Sequence, residues 1–490
     1  MFTTCLRNDG EMKSVFLLAA CAAATFAQDA TRSCESLAEL RFPNTTIESA
    51  AVDSGICRVN ATVTHPPADD KVKVFLALPL KNWNGRFQGV GGGGFSGGNP
   101  QSVIGPAKQG YAAGATDTGH EGGSGSFALD ANSRLNWMLI RDNAYLGIHE
   151  MTATGKALVA AFYGATPRKA YFNGCSTGGR QGMMEAQRYP ADYDGVVAGA
   201  PAINWTKLHI EQLWGPLVML ESKTYPAPCK FAAATAAAVA ACGKDGVIDQ
   251  PDRCPFDPKE LVGKSTGAAC EPFTVEDAAV IRKIWEGPRR ADGTFLWYGL
   301  TRGADFSGLS RTGGTPLTAQ PSGISLDWWK YFLTQNPQWD WTTLNQALYE
   351  QMWDQSVEEF GGVIGTDNPD LTAFRDRGGK LILWHGWADQ LIYPQGTIDY
   401  FKRVEERMGS AAPFARLYLA PGVAHCRGGA GPEPTGQLEA LVDWVEKGTA
   451  PGSLKAVKGE RSRPLCPYPL TARYKGSGSL DEAASFSCAR

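Results

Sequence analysis

The run Asn173-Gly174-Cys175-Ser176-Thr177-Gly178-Gly179-Arg180 holds the clearest chemistry in the chain. A serine hydroxyl is a poor nucleophile at neutral pH. It needs a general base within hydrogen-bond reach, and the base needs an acid to fix its tautomer. Gly174-x-Ser176-x-Gly178 is the pattern of a sharp strand-to-helix turn that lifts a serine into the open. The glycines have a physical purpose, because the neighbours of a strained turn must lack bulk. The flanks agree with this reading. Lys169 to Asn173 suits a buried strand, and Gln181 to Tyr189 suits a helix that stops before Pro190.

Two more residues complete a candidate triad. Lys380 to Trp384 reads as a buried strand that ends in His385-Gly-Trp-Ala-Asp389, and Ala415 to Leu419 reads as the next strand, followed by Pro421-Gly-Val-Ala-His425-Cys426. Ser176, Asp389 and His425 therefore follow the Ser…Asp…His order of an α/β-hydrolase, each just past a strand end. A lone aspartate or histidine in such a place is more often structural, and the combination of order and context is what selects these three. His385 and His120 read as structural hydrogen-bonders, while His65, His149 and His209 have no supporting context. No His/Cys spacing suits zinc.

Two further signals bear on the same site. The glycine run Val90-Gly91-Gly92-Gly93-Gly94 follows a strand-like stretch from Asn82, so it fits the loop that supplies an N–H to an oxyanion hole. Its rivals are a flexible loop or a phosphate cradle, and the second lacks the Lys-Ser/Thr that should follow the glycines. Cys175 and Cys426 each adjoin a catalytic candidate, and a bridge between them would limit how far nucleophile and base can separate. The alternative is a pair of buried free thiols.

The elements that must position these residues alternate between strand and helix. Residues 28–80 carry period-two patterns (Thr45 to Val52, Val59 to Val63, Val72 to Leu78), which predict antiparallel strands at a sheet edge, pinched by Cys34 and Cys57. Tyr111 to Ala115 predicts a strand, Asn143 to Phe162 a helix, and Gly195 to Pro201 another buried strand. The alternation implies a mostly parallel α/β sheet. From about Trp205 to Ala373 the character changes to loops, an alanine-rich helix (Phe231 to Ala241), a cysteine cluster and many aromatics, among them Trp285, Trp297, Trp328, Trp329 and Trp353. This predicts an inserted lid whose aromatics mostly form a second small core. The catalytic domain then occupies 28–204 and 374–490, with the lid at 205–373. The last helix is expected at 436–447, and Cys466 and Cys488 read as a local bridge in the tail.

With 490 residues, net charge −3 and only 20% charged residues, nothing points to nucleic acid or an anionic partner. Lys13 followed by the apolar run Val15 to Ala24 resembles a signal peptide over 1–27, cleaved near Ala27, with Met12 as an alternative start. A lipidated Cys21 is the bacterial alternative. No other apolar run is long enough to span a bilayer, which predicts a soluble mature chain. Ten of the twelve cysteines lie beyond Ala27, which fits an exported protein with disulfides, extracellular or, from a bacterium, periplasmic or lipid-anchored. Asn44, Asn60 and Asn204 head glycosylation triplets if the source is eukaryotic.

Cys175 to Gly179, His385 to Asp389 and His425-Cys426 together resemble the tannase and feruloyl esterase family of secreted serine esterases. Asn82 to Gly97, Ala115 to His120 and Arg188 to Pro201 are similar to further family blocks, so the likeness spans almost the whole mature chain. The resemblance implies an α/β-hydrolase with a lid, a Ser-His-Asp triad and the bridge Cys175–Cys426. It implies an oxyanion hole made by the N–H of Thr177 and of a glycine in the run, with Gly92 and Gly93 the candidates. It also implies hydrolysis of esters of aromatic acids, free or linked to plant polymers; the bacterial hydrolase of monohydroxyethyl terephthalate is similar too. Catalysis would need no cofactor. The family also carries a calcium loop in the lid. Its counterpart, Cys242 to Cys254, keeps the disulfide closure and offers Asp245, the Val247 carbonyl and Asp249, but it is shorter and lacks about two carboxylates. Cys229 and Cys270 remain, with their pairing open.

The sequence thus predicts a secreted feruloyl-type carboxylesterase working through an acyl-enzyme. The alternatives are a tannase acting on galloyl esters, an inactive hydrolase-like binding protein, and a serine peptidase on the same fold. Oligomeric state is not legible.

Overall fold

The alternating residues near the N-terminus build three antiparallel strands, β1 (Thr45–Asp53), β2 (Ile56–Val63) and β3 (Val72–Pro79). They form one edge of a nine-stranded sheet in the computed structural model, which describes residues 28–490 except 266, 268 and 269. The leader expected over 1–27, with Met12 and Cys21, lies outside the described residues. The sheet continues through β4 (Arg86–Val90), β5 (Ala112–Thr116), β6 (Lys169–Cys175), β7 (Gly195–Gly199), β8 (Lys380–Gly386) and β9 (Ala415–Ala420) in the spatial order β1-β2-β3-β5-β4-β6-β7-β8-β9. From β5 to β9 all neighbours run parallel. This is the mostly parallel α/β sheet that the strand-helix alternation implies, with the antiparallel edge the N-terminal pattern predicts.

Parallel strands must be covered on both faces, and their residues are apolar on both. Phe172, Val196, Leu381 and Leu383 point into one core together with helices α1 (Gly147–Tyr163), α2 (Thr177–Arg188) and α3 (Pro394–Met408). Tyr171, Val197 and Ile382, their chain neighbours, face the other way against α4 (Gln437–Lys447). The period of two along each strand puts successive side chains on opposite faces.

Between β7 and β8 the sheet gains no strand. The chain there forms helices Trp205–Glu211, Trp214–Ser222, Pro228–Cys242, Val275–Glu286 and Gln346–Ile364 around a separate apolar core. Trp285, Trp297, Trp328, Trp329 and Trp353 are all buried in that core, so their main contribution is packing. Phe95 and Phe127, from loops of the sheet domain, insert into it as well, and Phe95 stacks on Phe332. This second core thereby reaches the loops of the sheet.

Five disulfides pair Cys34–Cys57, Cys175–Cys426, Cys229–Cys270, Cys242–Cys254 and Cys466–Cys488. No helix among the described residues is long and apolar enough to cross a membrane. One sequence expectation is corrected here. Asn204 is buried and its amide donates to the Gly396 carbonyl, so this triplet cannot carry a glycan in the folded chain, whereas Asn44 is exposed.

Candidate active site

Ser176 sits at the end of β6 with φ 64° and ψ −124°, a backbone conformation an L-residue seldom adopts. The turn is over-determined by its neighbours. Ser176 N–H donates to the Gly199 carbonyl at 2.9 Å, and the Ser176 carbonyl accepts from the N–H of Arg180 and of Ala202. A β-carbon on Gly174 would lie 2.6 Å from the Gly178 carbonyl, which explains the glycine spacing read from the sequence. Helix α2 begins at Thr177, so the Thr177 N–H is one of the first-turn donors without an intrahelical acceptor. It is available to an oxyanion.

The glycine run packs directly on this turn. A side chain on Gly91 would meet the Gly178 α-carbon at 2.4 Å, so only glycine allows the loop to come so close. Gly178 N–H donates to the Gly92 carbonyl at 3.0 Å, and Thr177 Oγ1 donates to the Gly94 carbonyl at 2.6 Å. Gln181, buried on α2, clamps the loop from below. Its Oε1 accepts the Gly92 N–H at 3.0 Å and its amide donates to the Gly97 carbonyl at 3.0 Å. The Gly93 N–H is also occupied, by the Ser96 carbonyl at 3.1 Å. The two glycines expected to donate to an oxyanion therefore already have acceptors inside the protein. A spent N–H cannot also serve a substrate without opening its present bond.

Asp389 and His425 meet across the ends of β8 and β9. Asp389 is fully buried, and its Oδ2 lies 2.8 Å from His425 Nδ1. Oδ1 accepts the N–H groups of Leu391 and Ile392 at 2.8 and 2.9 Å. Burial by itself raises the carboxyl's pKa, but the adjoining His425 and hydrogen bonds from His385 and His425 outweigh it and hold the group well below the usual carboxylate range. His425 is itself fixed by its N–H, which donates to Gln390 Oε1 at 3.1 Å. No hydrogen bond joins Ser176 Oγ to His425 among the described residues, a gap common before substrate arrives.

His385 does more than the sequence suggested. Its Nε2 faces two acceptors, Asp389 Oδ2 at 3.0 Å and the Ile392 carbonyl at 2.9 Å, so Nε2 carries the proton. Nδ1 lies 2.9 Å from Thr397 Oγ1, which can donate. Asp389 is thus flanked by two imidazoles, His385 fully buried and donating, His425 largely buried. Gln181, Gln390 and Thr397 carry no motif signal; each is set by which loop happens to face it in the fold.

The remaining histidines play no part in this cluster. His120 stacks on Phe127, and His209 is buried against Phe95 and Trp205 with burial driving its pKa down to about 3. His149 pairs with Asp192 and His65 with Asp70.

The disulfide Cys175–Cys426 spans 251 residues of sequence and brings the neighbours of Ser176 and His425 to an α-carbon separation of 6.0 Å. Among the described residues it is the one disulfide between the Ser176 turn and the His425 loop. Replacing both cysteines by serine is expected to lower kcat by about 10–100-fold with a smaller change in KM, since a displacement near 1 Å in a reacting pair costs about that much. Stability measured by urea unfolding should fall by about 2–5 kcal/mol. An unchanged kcat with lowered stability would make the bridge a purely structural clamp.

The lid loop expected to bind calcium is built otherwise. Asp245 pairs with Arg463 at 3.2 Å, and its own carbonyl accepts from Arg461. The Val247 carbonyl accepts the Lys244 N–H at 2.9 Å. Burial raises the pKa of Asp249, while Arg463, Lys244 and Arg473 beside it pull the other way. Calcium asks for six to eight oxygens free to turn inward, and here cationic side chains from the C-terminal segment hold that place. The residues present do not fit the ion.

Residues 57–489 match the family model for tannase and feruloyl esterase. The chain is similar to a probable feruloyl esterase of Arthroderma benhamiae, 41% identical over 91% of this chain and 87% of the relative. Among solved structures it resembles feruloyl esterase B from Aspergillus oryzae at 26% identity, with TM-score 0.81 over 93% of this chain and 100% of the other. It also resembles the tannin acyl hydrolase from Aspergillus niger at 26% identity, with TM-score 0.83 over 92% of each chain.

Proposed function

This chain belongs to the tannase and feruloyl esterase family and is an esterase, and from that premise we propose that it is a secreted carboxylic ester hydrolase of aromatic-acid esters, feruloyl esters foremost. The observation that carries the reading is the buried Asp389–His425 hydrogen bond of 2.8 Å, on a loop bridged to the residue beside Ser176. His425 takes the proton from Ser176 Oγ as the oxygen attacks the ester carbonyl. The developing oxyanion is held by the Thr177 N–H, at the positive end of helix α2, and by an N–H of the glycine run. His425 then protonates the leaving alkoxide. In the second half it activates water, which hydrolyses the acyl-enzyme and returns the proton to Ser176. Asp389 keeps Nδ1 protonated throughout and stabilises the imidazolium. Export is supported by five disulfides and by the leader read in the sequence.

The acyl preference rests on the relatives' names alone, and the tannin acyl hydrolase is as similar in fold as the feruloyl esterase. Galloyl esters are therefore the second reading. Purified enzyme is expected to hydrolyse methyl ferulate with a kcat/KM at least tenfold above that for methyl gallate, a margin of about 1.4 kcal/mol in transition-state binding. The reverse ratio on a panel including chlorogenate would make it a tannase. Faster cleavage of a peptide than of any ester would remove the esterase substrate reading altogether.

A further inference from the structure

Away from the triad, three donor side chains converge beneath the antiparallel edge of the sheet. His65 lies in the loop after β2, Asp70 in the turn before β3, and Asp142 opens the π-turn Asp142–Leu146 that leads into α1. One ligand atom from each lies within 4.8 Å of the others. His65 Nδ1 is 2.5 Å from Asp70 Oδ2, and its Nε2 is 3.5 Å from Glu150 Oε1.

The telling residue is Asp142. It is fully buried, and neither carboxyl oxygen has a hydrogen-bond partner among the described residues. Ionised, it leaves a charge unpaired in the interior, which is among the costliest arrangements a fold can hold. Protonated, it still has an O–H in need of an acceptor, and neither oxygen is hydrogen-bonded. Burial, with Asp70, Asp117 and Glu150 adding repulsion and His65 opposing, pushes its pKa up to about 7. Lys73, whose charge acts on Asp117, is engaged by Glu121 at 2.5 Å. Asp70, Asp142, Asp117 and Glu150 thus gather around the His65 imidazole.

We propose that His65, Asp70 and Asp142 form a site for a divalent first-row transition cation, of which Zn2+ is the simplest probe. An imidazole with two carboxylates is a donor set for such ions, with water completing the shell, whereas calcium takes oxygen alone. Side-chain exposure of 22% at His65, against 1% at Asp70, leaves an entry path on the histidine side. The bound ion would supply the partner Asp142 lacks.

Its effect would reach the active site through the π-turn. Arg180 of α2 donates to the Ala144 and Asn143 carbonyls at 2.7 and 2.9 Å. The Asn143 amide donates to the Phe95 carbonyl beside the glycine run at 3.1 Å. Nucleophile helix and oxyanion loop therefore both lean on the turn that Asp142 begins. The cation is a structural pin for that turn and takes no part in the acyl transfer.

A second cluster, His149, Glu185 and Asp192, has similar donors but already contains a cation, Lys156, bonded to the Asp192 carbonyl. It serves as the control. Full-length enzyme stripped with chelator and exchanged into metal-free buffer is titrated with Zn2+ alone by calorimetry. Wild type should bind one equivalent, His149→Gln should do the same, and Asp142→Asn and His65→Gln should each weaken binding by roughly tenfold or more. If Asp142→Asn does not fold, the more exposed His65→Gln, checked by circular dichroism, carries the test. No binding to wild type would overturn the proposal, as would equal affinity in both site variants. Displacement by an equimolar amount of Ca2+ would overturn the class of ion.

Discussion

Ser176→Ala is expected to lower kcat for aryl-acid esters by about four to six orders of magnitude while leaving KM within a few-fold of wild type. The serine oxygen is the attacking atom, and nothing else in the site can replace it. Its neighbours, however, are held independently of the hydroxyl. The turn is fixed by backbone bonds to Gly199, Arg180 and Ala202, and by the bridge from Cys175 to Cys426. Substrate should therefore still bind, and the residual rate would come from water attacking a carbonyl polarised by the remaining donors. Labelling by a fluorophosphonate should vanish in the variant. Turnover within tenfold of wild type would dispose of the acyl-enzyme mechanism and favour a binding protein with a contaminating activity.

Asp389→Asn should be nearly as damaging, with kcat down by about 10^4 and the fold retained. The carboxylate accepts from His425, His385, Leu391 and Ile392 at once. An amide has one oxygen for these four donors, and its NH2 must face at least one of them. Turned toward His425, it stabilises the tautomer with the proton on Nε2, which cannot accept from Ser176. Turned toward Leu391 and Ile392, it opposes two fixed backbone donors. Stability offers a second readout. The folded-state pKa of Asp389 is depressed below the ordinary aspartate value, so its contribution is complete above that value and fades as pH falls through the folded pKa. The stability gap between wild type and Asp389→Asn should accordingly be widest near neutrality and shrink on acidification below about pH 4. A gap that stayed constant into acid would mean that the carboxylate is not held as its hydrogen bonds indicate.

These two experiments address residues legible in the sequence, and the reason is local. A nucleophile turn needs glycine at fixed offsets, so Gly174 and Gly178 announce Ser176. Asp389 and His425 each follow a run of apolar, β-prone residues that must be a buried strand. The order of the elements and the antiparallel edge were equally readable, because period two and the helix-strand alternation are written in neighbouring residues.

What the tertiary structure alone decided are the partners that come from distant parts of the chain. The pairing of Cys229 with Cys270 depended on how the lid folds. That Gly92 spends its N–H on Gln181 follows from the packing of a loop onto a helix about ninety residues later. The would-be calcium loop was filled by arginines more than two hundred residues away. Asp142 gave no sequence signal at all, since an aspartate at a helix start ordinarily faces water. Sequence spacing constrains groups a few bonds apart, whereas hydrogen-bond acceptors, charges and metal donors are assigned by which surfaces the fold presses together.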